Sequence, residues 1–109
     1  MESGFAEAAR VVRWDSRKPP DESAIRIRFA ADSLEPHRWS NEAFVAYSDH
    51  RHSYTKVLYV VRGSITFTLT DQGRAIDLQP GDRLELPPNT NHTALVGPNG
   101  VVCLEAARE

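Results

Sequence analysis

The stretch Val57-Leu-Tyr-Val-Val-Arg-Gly-Ser-Ile-Thr-Phe-Thr-Leu-Thr70 decides the class of fold open to this chain. Its second half alternates apolar Ile65, Phe67 and Leu69 with Ser64, Thr66, Thr68 and Thr70, the period-two pattern of a strand with one buried face. Its first half is an unbroken β-branched and aromatic run. Arg62-Gly63 between them, and Asp71-Gln72-Gly73 beyond, are expected to be hairpin turns.

The same period continues on both sides. Phe44–Ser48 precedes it, and short strands are expected at Ala75–Leu78, Arg83–Leu86, Thr93–Val96 and Val101–Glu105. Gln79-Pro80-Gly81, Pro87-Pro88-Asn89 and Gly97-Pro98-Asn99-Gly100 punctuate them. Many short strands with turns this close together indicate an all-β antiparallel barrel or sandwich rather than an α/β fold.

The first third is mixed. Ala9–Trp14 is a candidate edge strand, and the two prolines of Ser16-Arg-Lys-Pro-Pro20 interrupt regular structure by removing backbone donors. Asp21–Ser33 fits a short helix: Asp21 can cap it, Glu22 suits the first turn, and Ile25 and Phe29 fall four apart on one face. A strand is the alternative there, since Ile25-Arg-Ile-Arg-Phe29 also alternates. The chain therefore divides into an N-terminal arm over 1–34, carrying edge strand and helix, and a barrel over 35–109.

Composition excludes several classes of function. A chain of 109 residues supports one modest core. Its net charge of −2, with no basic stripe, gives nucleic-acid binding little electrostatic support. No apolar run approaches the roughly 20 residues that span a bilayer. Met1–Phe5 lacks the basic and apolar regions of a secretory signal, and the sole cysteine, Cys103, cannot form an internal disulfide. A cytoplasmic protein is the expectation.

Chemistry concentrates in the histidines. His50-Arg51-His52 places two imidazoles at i and i+2, which on a strand project from one face about 6–7 Å apart. Two rings so placed can converge on one metal at about 2.0–2.1 Å each. Ala46 and Ser48 share that parity and would leave an open pocket beside them. Asp49 is expected on the opposite face, Glu85 away from the side on which Leu84 and Leu86 pack, Cys103 in the core, and His37 on the surface.

The wider spacing resembles the cupin family, whose motifs run G-x5-H-x-H-x3/4-E-x6-G and G-x5-P-x-G-x2-H-x3-N. His50, His52 and Gly63 match the first, and Gly81, Pro87 and His92 match the second, over residues 44–96. Asp82 suits the turn after Gly81. Phe44 stands at the first glycine, Val96 at the final asparagine, and Asn89 at the inner glycine, a mild change because asparagine tolerates positive φ. The resemblance implies a single cupin-type antiparallel β-barrel, or jelly roll, with His50, His52 and His92 holding a divalent Fe, Mn, Ni, Zn or Cu ion. It also implies a homodimer.

Lys56 occupies the position of the family's glutamate ligand. An ammonium about 4 Å from a dication, at an effective dielectric near 20, meets a penalty of about 8 kcal/mol. Lys56 could point away or lie over the pocket mouth, it could lose its proton, or the site could be poor in metal; the first is the expectation. A lysine on a slipped register, at the surface, is the bland alternative. With no motif carboxylate to offset it, the pocket should be strongly positive and favour a small anion: a carboxylate, enolate or thiolate. Tyr54 could donate a hydrogen bond at the mouth, though rim packing is its plainer role.

A three-histidine site with open positions can serve as a Lewis acid or take up substrate and dioxygen together. Cupins with such sites resemble thiol and diketone dioxygenases, so a dioxygenase-like reaction is the sharpest expectation, with Lys56 and Tyr54 as candidate catalytic residues. A non-catalytic cupin that binds or senses a small molecule is the alternative, weakened for a transcriptional sensor because no helix-turn-helix accompanies the barrel.

Overall fold

A computed structural model describes residues 8–109; the first seven residues, and with them the start of the expected arm, lie outside it. The elements are β1 (Arg10–Val12), α1 (Glu22–Ala31), β2 (His37–Asn41), β3 (Ala46–His50), β4 (Thr55–Leu69), β5 (Arg74–Leu78), β6 (Arg83–Leu86) and β7 (His92–Arg108). All strand pairs are antiparallel.

Two long strands, β4 and β7, organise the molecule. Their halves nearest the chain ends of the pairing (Thr55–Val60 against Cys103–Arg108) lie in one layer, in the order β1, β6, β4, β7, β2. Their other halves (Ile65–Leu69 against His92–Val96) lie in the second layer, flanked by β5 and β3. Apolar residues of both layers meet inside: Leu58, Val60, Ile65, Phe67, Leu69, Leu84, Leu86, Val96 and Cys103 belong to one core. This is a jelly-roll barrel.

The turn expected at Arg62-Gly63 is instead the bend of β4. The ladder shifts register between Val60 and Arg62 and again between Gly63 and Ile65, so one strand passes from layer to layer. Gly97–Gly100 likewise lies within β7, not between two separate strands. Gly63 has φ +77°, and a Cβ there would collide with the carbonyl of Gly100, so the crossing of the two bends requires glycine. The expected turn before Arg74 is present, closed by Gln72 N–H donating to Leu69 O at 3.1 Å.

The unbroken run Val57–Val61 has its explanation in a second core. Leu58 and Val60 face the barrel interior, while Val57, Tyr59 and Val61 face outward and are covered by Ile25 and Phe29 of α1. The helix prevails over the strand alternative. Asp21 caps it by accepting from Ala24 N–H at 2.8 Å, and Ile27 is 70% exposed while Ile25 and Phe29 are fully buried. A strand would have put all three on one face.

Two further differences matter for the site. Strand β2 was not anticipated, because Glu35–Ala43 is polar and lacks alternation. Phe44 is not in a strand but adopts φ +64°, the left-handed conformation that suits the family's glycine at that position.

Candidate metal centre

His50 ends β3, and His92, which begins β7, stands directly opposite it in the ladder. His52 lies two residues past β3 in an irregular segment, not on the strand with His50 as expected. Its backbone carbonyl accepts from Asn89 N–H at 2.7 Å, tying it to the loop that leads into β7; Asn89 itself has φ +61°. Ring centroids are 5.1 Å apart for His50 and His52, 4.2 Å for His50 and His92, and 5.6 Å for His52 and His92. One ring nitrogen from each lies within 4.8 Å of the others.

The tautomers follow from the backbone. His50 Nδ1 is 2.7 Å from Ser48 O, and His92 Nδ1 is 2.9 Å from Thr90 O. A carbonyl oxygen only accepts, so each Nδ1 carries the proton and each Nε2 offers its lone pair. His52 Nε2 and His92 Nε2 are buried without a hydrogen-bond partner in the described structure. Burial, followed by the charges of Lys56 and His50, lowers the pKa of His52. Burial also lowers that of His92, against the opposing bond to Thr90. The Nδ1 atoms of His50 and His92, pinned by carbonyls, aim their Nε2 atoms inward beside the buried Nε2 of His52, and this set suits a divalent transition metal, so the residues present fit such an ion.

Beside His50 is a cavity of about 170 Å³, with Ile65, Phe67 and Ala94 as its apolar wall and His37, Trp39, Tyr47, His50, Lys56 and Glu105 supplying polar groups. Lys56 is only 7% exposed and lines this cavity, so it neither points away nor covers the mouth. Its Nζ lies 3.5 Å from Glu105 Oε1, and Trp39 Nε1 donates to that same oxygen at 3.1 Å.

Glu105 corrects the expectation of a pocket without a carboxylate. It comes from the far end of β7, on the same face as Cys103, and no motif marks it. A glutamate at an inward parity within the apolar run Val101–Ala106 was the available signal. With Lys56 and Glu105 offsetting one another, a bound dication leaves the site with a formal charge of +2 rather than +3.

His37 is exposed, as expected, and β2, which was not anticipated, carries it opposite Glu105 at the rim of the cavity. Tyr47, itself 39% exposed, lines it, whereas Ala46 and Ser48 do not. The register shift between Tyr47 and His50 breaks the parity on which that expectation rested.

Tyr54 packs against His52, with ring centroids 5.0 Å apart, and does not line the cavity. Burial and the Glu105 charge raise its pKa, keeping it a phenol. Asp49 accepts from the Thr70 hydroxyl at 3.0 Å. Glu85 faces away from the barrel core toward Arg83, Arg108 and Arg10, while Cys103 is fully buried with its thiol pKa pushed up by burial.

Residues 33–99 match the cupin domain model, and the chain belongs to the cupin family. Comparison with curated protein sequences found no significant match. Among solved structures, it is similar to a chain from the DMSP lyases RdDddP and RnDddQII (23% identity, TM-score 0.63, 71% of this chain and 39% of that one). It is also similar to an RmlC-like cupin from Shewanella frigidimarina (24%, 0.59, 68% and 64%). A third similar structure is the salicylate 1,2-dioxygenase of Pseudoaminobacter salicylatoxidans with gentisate (15%, 0.58, 68% and 19%). The chain spans less than two thirds of each of these three. Among the described residues, no helix is long and apolar enough to cross a membrane.

Proposed function

We propose that this protein is a metal-dependent cupin that binds a small organic anion at His50, His52 and His92 and acts on it as a dioxygenase-like enzyme. The observation that carries the reading is the pair of buried, partnerless Nε2 atoms on His52 and His92, beside a third imidazole whose Nε2 is freed by the Ser48 carbonyl. Buried polar atoms without partners are costly, and a metal ion removes the cost for both at once.

A divalent Fe, Mn, Ni, Zn or Cu ion there would supply Lewis acidity and, if redox-active, a route for dioxygen into the bound anion; both oxygen atoms enter the product, so no external reductant is required. The chain's own groups hold and orient the anion. Lys56 offers donors from inside the cavity, Ile65 and Phe67 exclude water along one wall, and Tyr54 steadies the His52 ring. We place the protein in the cytoplasm, supported by its single buried thiol, and as a homodimer, supported by the exposed face of the edge strand β3.

Purification without added metal, followed by metal quantification and oxygen-uptake assays with small thiols, 1,3-dicarbonyls and aromatic hydroxy acids, tests this. Stoichiometric metal and uptake with at least one substrate are expected. Stoichiometric metal with no turnover on any substrate would leave a non-catalytic binding protein, and absence of metal would overturn both readings.

A further inference from the structure

We infer that the Lys56–Glu105 pair selects small hydroxycarboxylic acids, with Lys56 holding the carboxylate and Glu105 accepting from the neighbouring hydroxyl. The inference rests on the proposed anion site and names the ligand class that fits it.

Both contacts to the Glu105 carboxylate fall on one oxygen. Among the described residues, Lys56 Nζ at 3.5 Å and Trp39 Nε1 at 3.1 Å approach Oε1, and no hydrogen bond engages Oε2. Oε2 is also not among the buried atoms left without a partner, so it keeps accessible surface. Trp39, fixed on β2, holds the carboxyl in place through Oε1 and leaves Oε2 as a preorganised acceptor. Lys56 has three donor protons, and Glu105 is its single ion-pair partner among the described residues.

The cavity therefore presents a cation and an anion side by side. A simple carboxylate satisfies Lys56 but brings its own charge up to Glu105 and desolvates Oε2 without replacing the lost water. A ligand with a hydroxyl on the carbon next to its carboxylate satisfies both groups, and adjacent substituents match the closeness of Lys56 to the Glu105 carboxyl group, whose Oε1 is 3.5 Å from Nζ. A site built to accept a hydrogen bond rejects the analogue that lacks the donor, because a buried polar group is then left unpaired. The volume of about 170 Å³ confines the ligand to a small acid, well below the roughly 300–1,000 Å³ of drug-sized sites. Ile65, Phe67 and Ala94 receive its hydrocarbon part.

The test compares matched acids differing in one hydroxyl: glycolate with acetate, lactate with propionate, and 2-hydroxyisovalerate with isovalerate. Calorimetric dissociation constants are measured on the Zn-loaded and the metal-free protein. We expect each hydroxy acid to bind about 10- to 100-fold more tightly than its partner, the effect of one hydrogen bond to a charged group. The preference should persist without metal, where chelation cannot produce it.

The double variant Lys56→Met/Glu105→Leu removes both charges together and should abolish the preference while retaining metal. Should that variant fail to fold, Glu105→Gln decides, with the preference expected to fall about fivefold or more as the acceptor loses its charge. A preference that is absent from the metal-free protein, or that survives both substitutions, overturns the inference. Failure of the metal-site reading shows separately, as wild-type protein without metal.

Discussion

Lys56 Nζ and Glu105 Oε1 face each other at 3.5 Å inside the barrel, from the start of β4 and the end of β7, which the antiparallel pairing brings side by side. The family's metal-binding carboxylate position is filled by a cation, and a carboxylate from another strand stands next to it. Charge that the first motif lacks is thus restored by the closing strand. The register makes this possible: Leu58 lies opposite Glu105, so Lys56, two residues earlier on the same face, reaches the glutamate diagonally.

Breaking this pair should be more damaging than removing it. Lys56→Met leaves a buried carboxylate without its cation, and we expect a loss of about 3 kcal/mol, the lower end of the range for broken buried pairs because the cavity admits water. The double replacement by Met and Leu should lie within about 1 kcal/mol of wild type. Urea denaturation of the four proteins of the cycle gives both numbers. Equal destabilisation by the single and double changes would show that the pair contributes nothing through charge.

Metal binding should be visible as stability. At a free metal concentration 100 times the dissociation constant, the folded state gains about 2.7 kcal/mol, or roughly 10 °C in Tm for a domain this small. Dialysis against a chelator should remove that shift and Zn should restore it. His50→Ala, which removes one half-buried ring, should leave the apo Tm within a few degrees of wild type and abolish the response to Zn. A variant that still responded fully would remove His50 from the ligand set.

Phe44 is 65% exposed at φ +64°, where glycine is at ease and side-chain-bearing residues are not. Phe44→Gly and Phe44→Ala both discard the ring, so their difference isolates the backbone. Phe44→Gly should be the more stable of the two by about 1 kcal/mol, read as about 4 °C in Tm. Equal melting points would mean that the left-handed conformation carries no cost here.

Glu85 should contribute to acid sensitivity. Burial pushes its pKa up, but hydrogen bonds and charge from Arg83, then from Arg108, outweigh this and the net direction is downward. A carboxyl lowered on folding stabilises the native state fully above its unfolded value of about 4.3. That contribution is lost as pH falls through the lower folded value, because the unfolded chain then binds more protons. The stability gap between wild type and Glu85→Gln, measured by denaturation from pH 7 to pH 3, should therefore narrow with falling pH. A gap constant across that range would contradict the assignment.

Local chemistry made much of this protein legible from its sequence alone. Alternation at Ile65, Phe67 and Leu69 specifies a half-buried strand wherever it is placed. Asp21 caps a helix by contacts within its own turn, and the glycines at 63 and 81 mark positive φ, because each of these effects acts over a few residues. The three histidines were legible because two are neighbours and the third sits at a recognisable interval beyond Gly81 and Pro87. The cavity that His50 borders was not. Tyr47 replaces Ala46 and Ser48 there because a register shift reverses parity, and bulges are set by how strands pair rather than by one strand's pattern. His37 reaches the rim on a polar strand that pairs with the edge of β7. Glu105 meets Lys56 only once β4 and β7 are aligned. The sequence determines the barrel and its three converging imidazoles by short-range pattern; the tertiary structure decides which distant charges share the low-dielectric interior, and so what the site can hold.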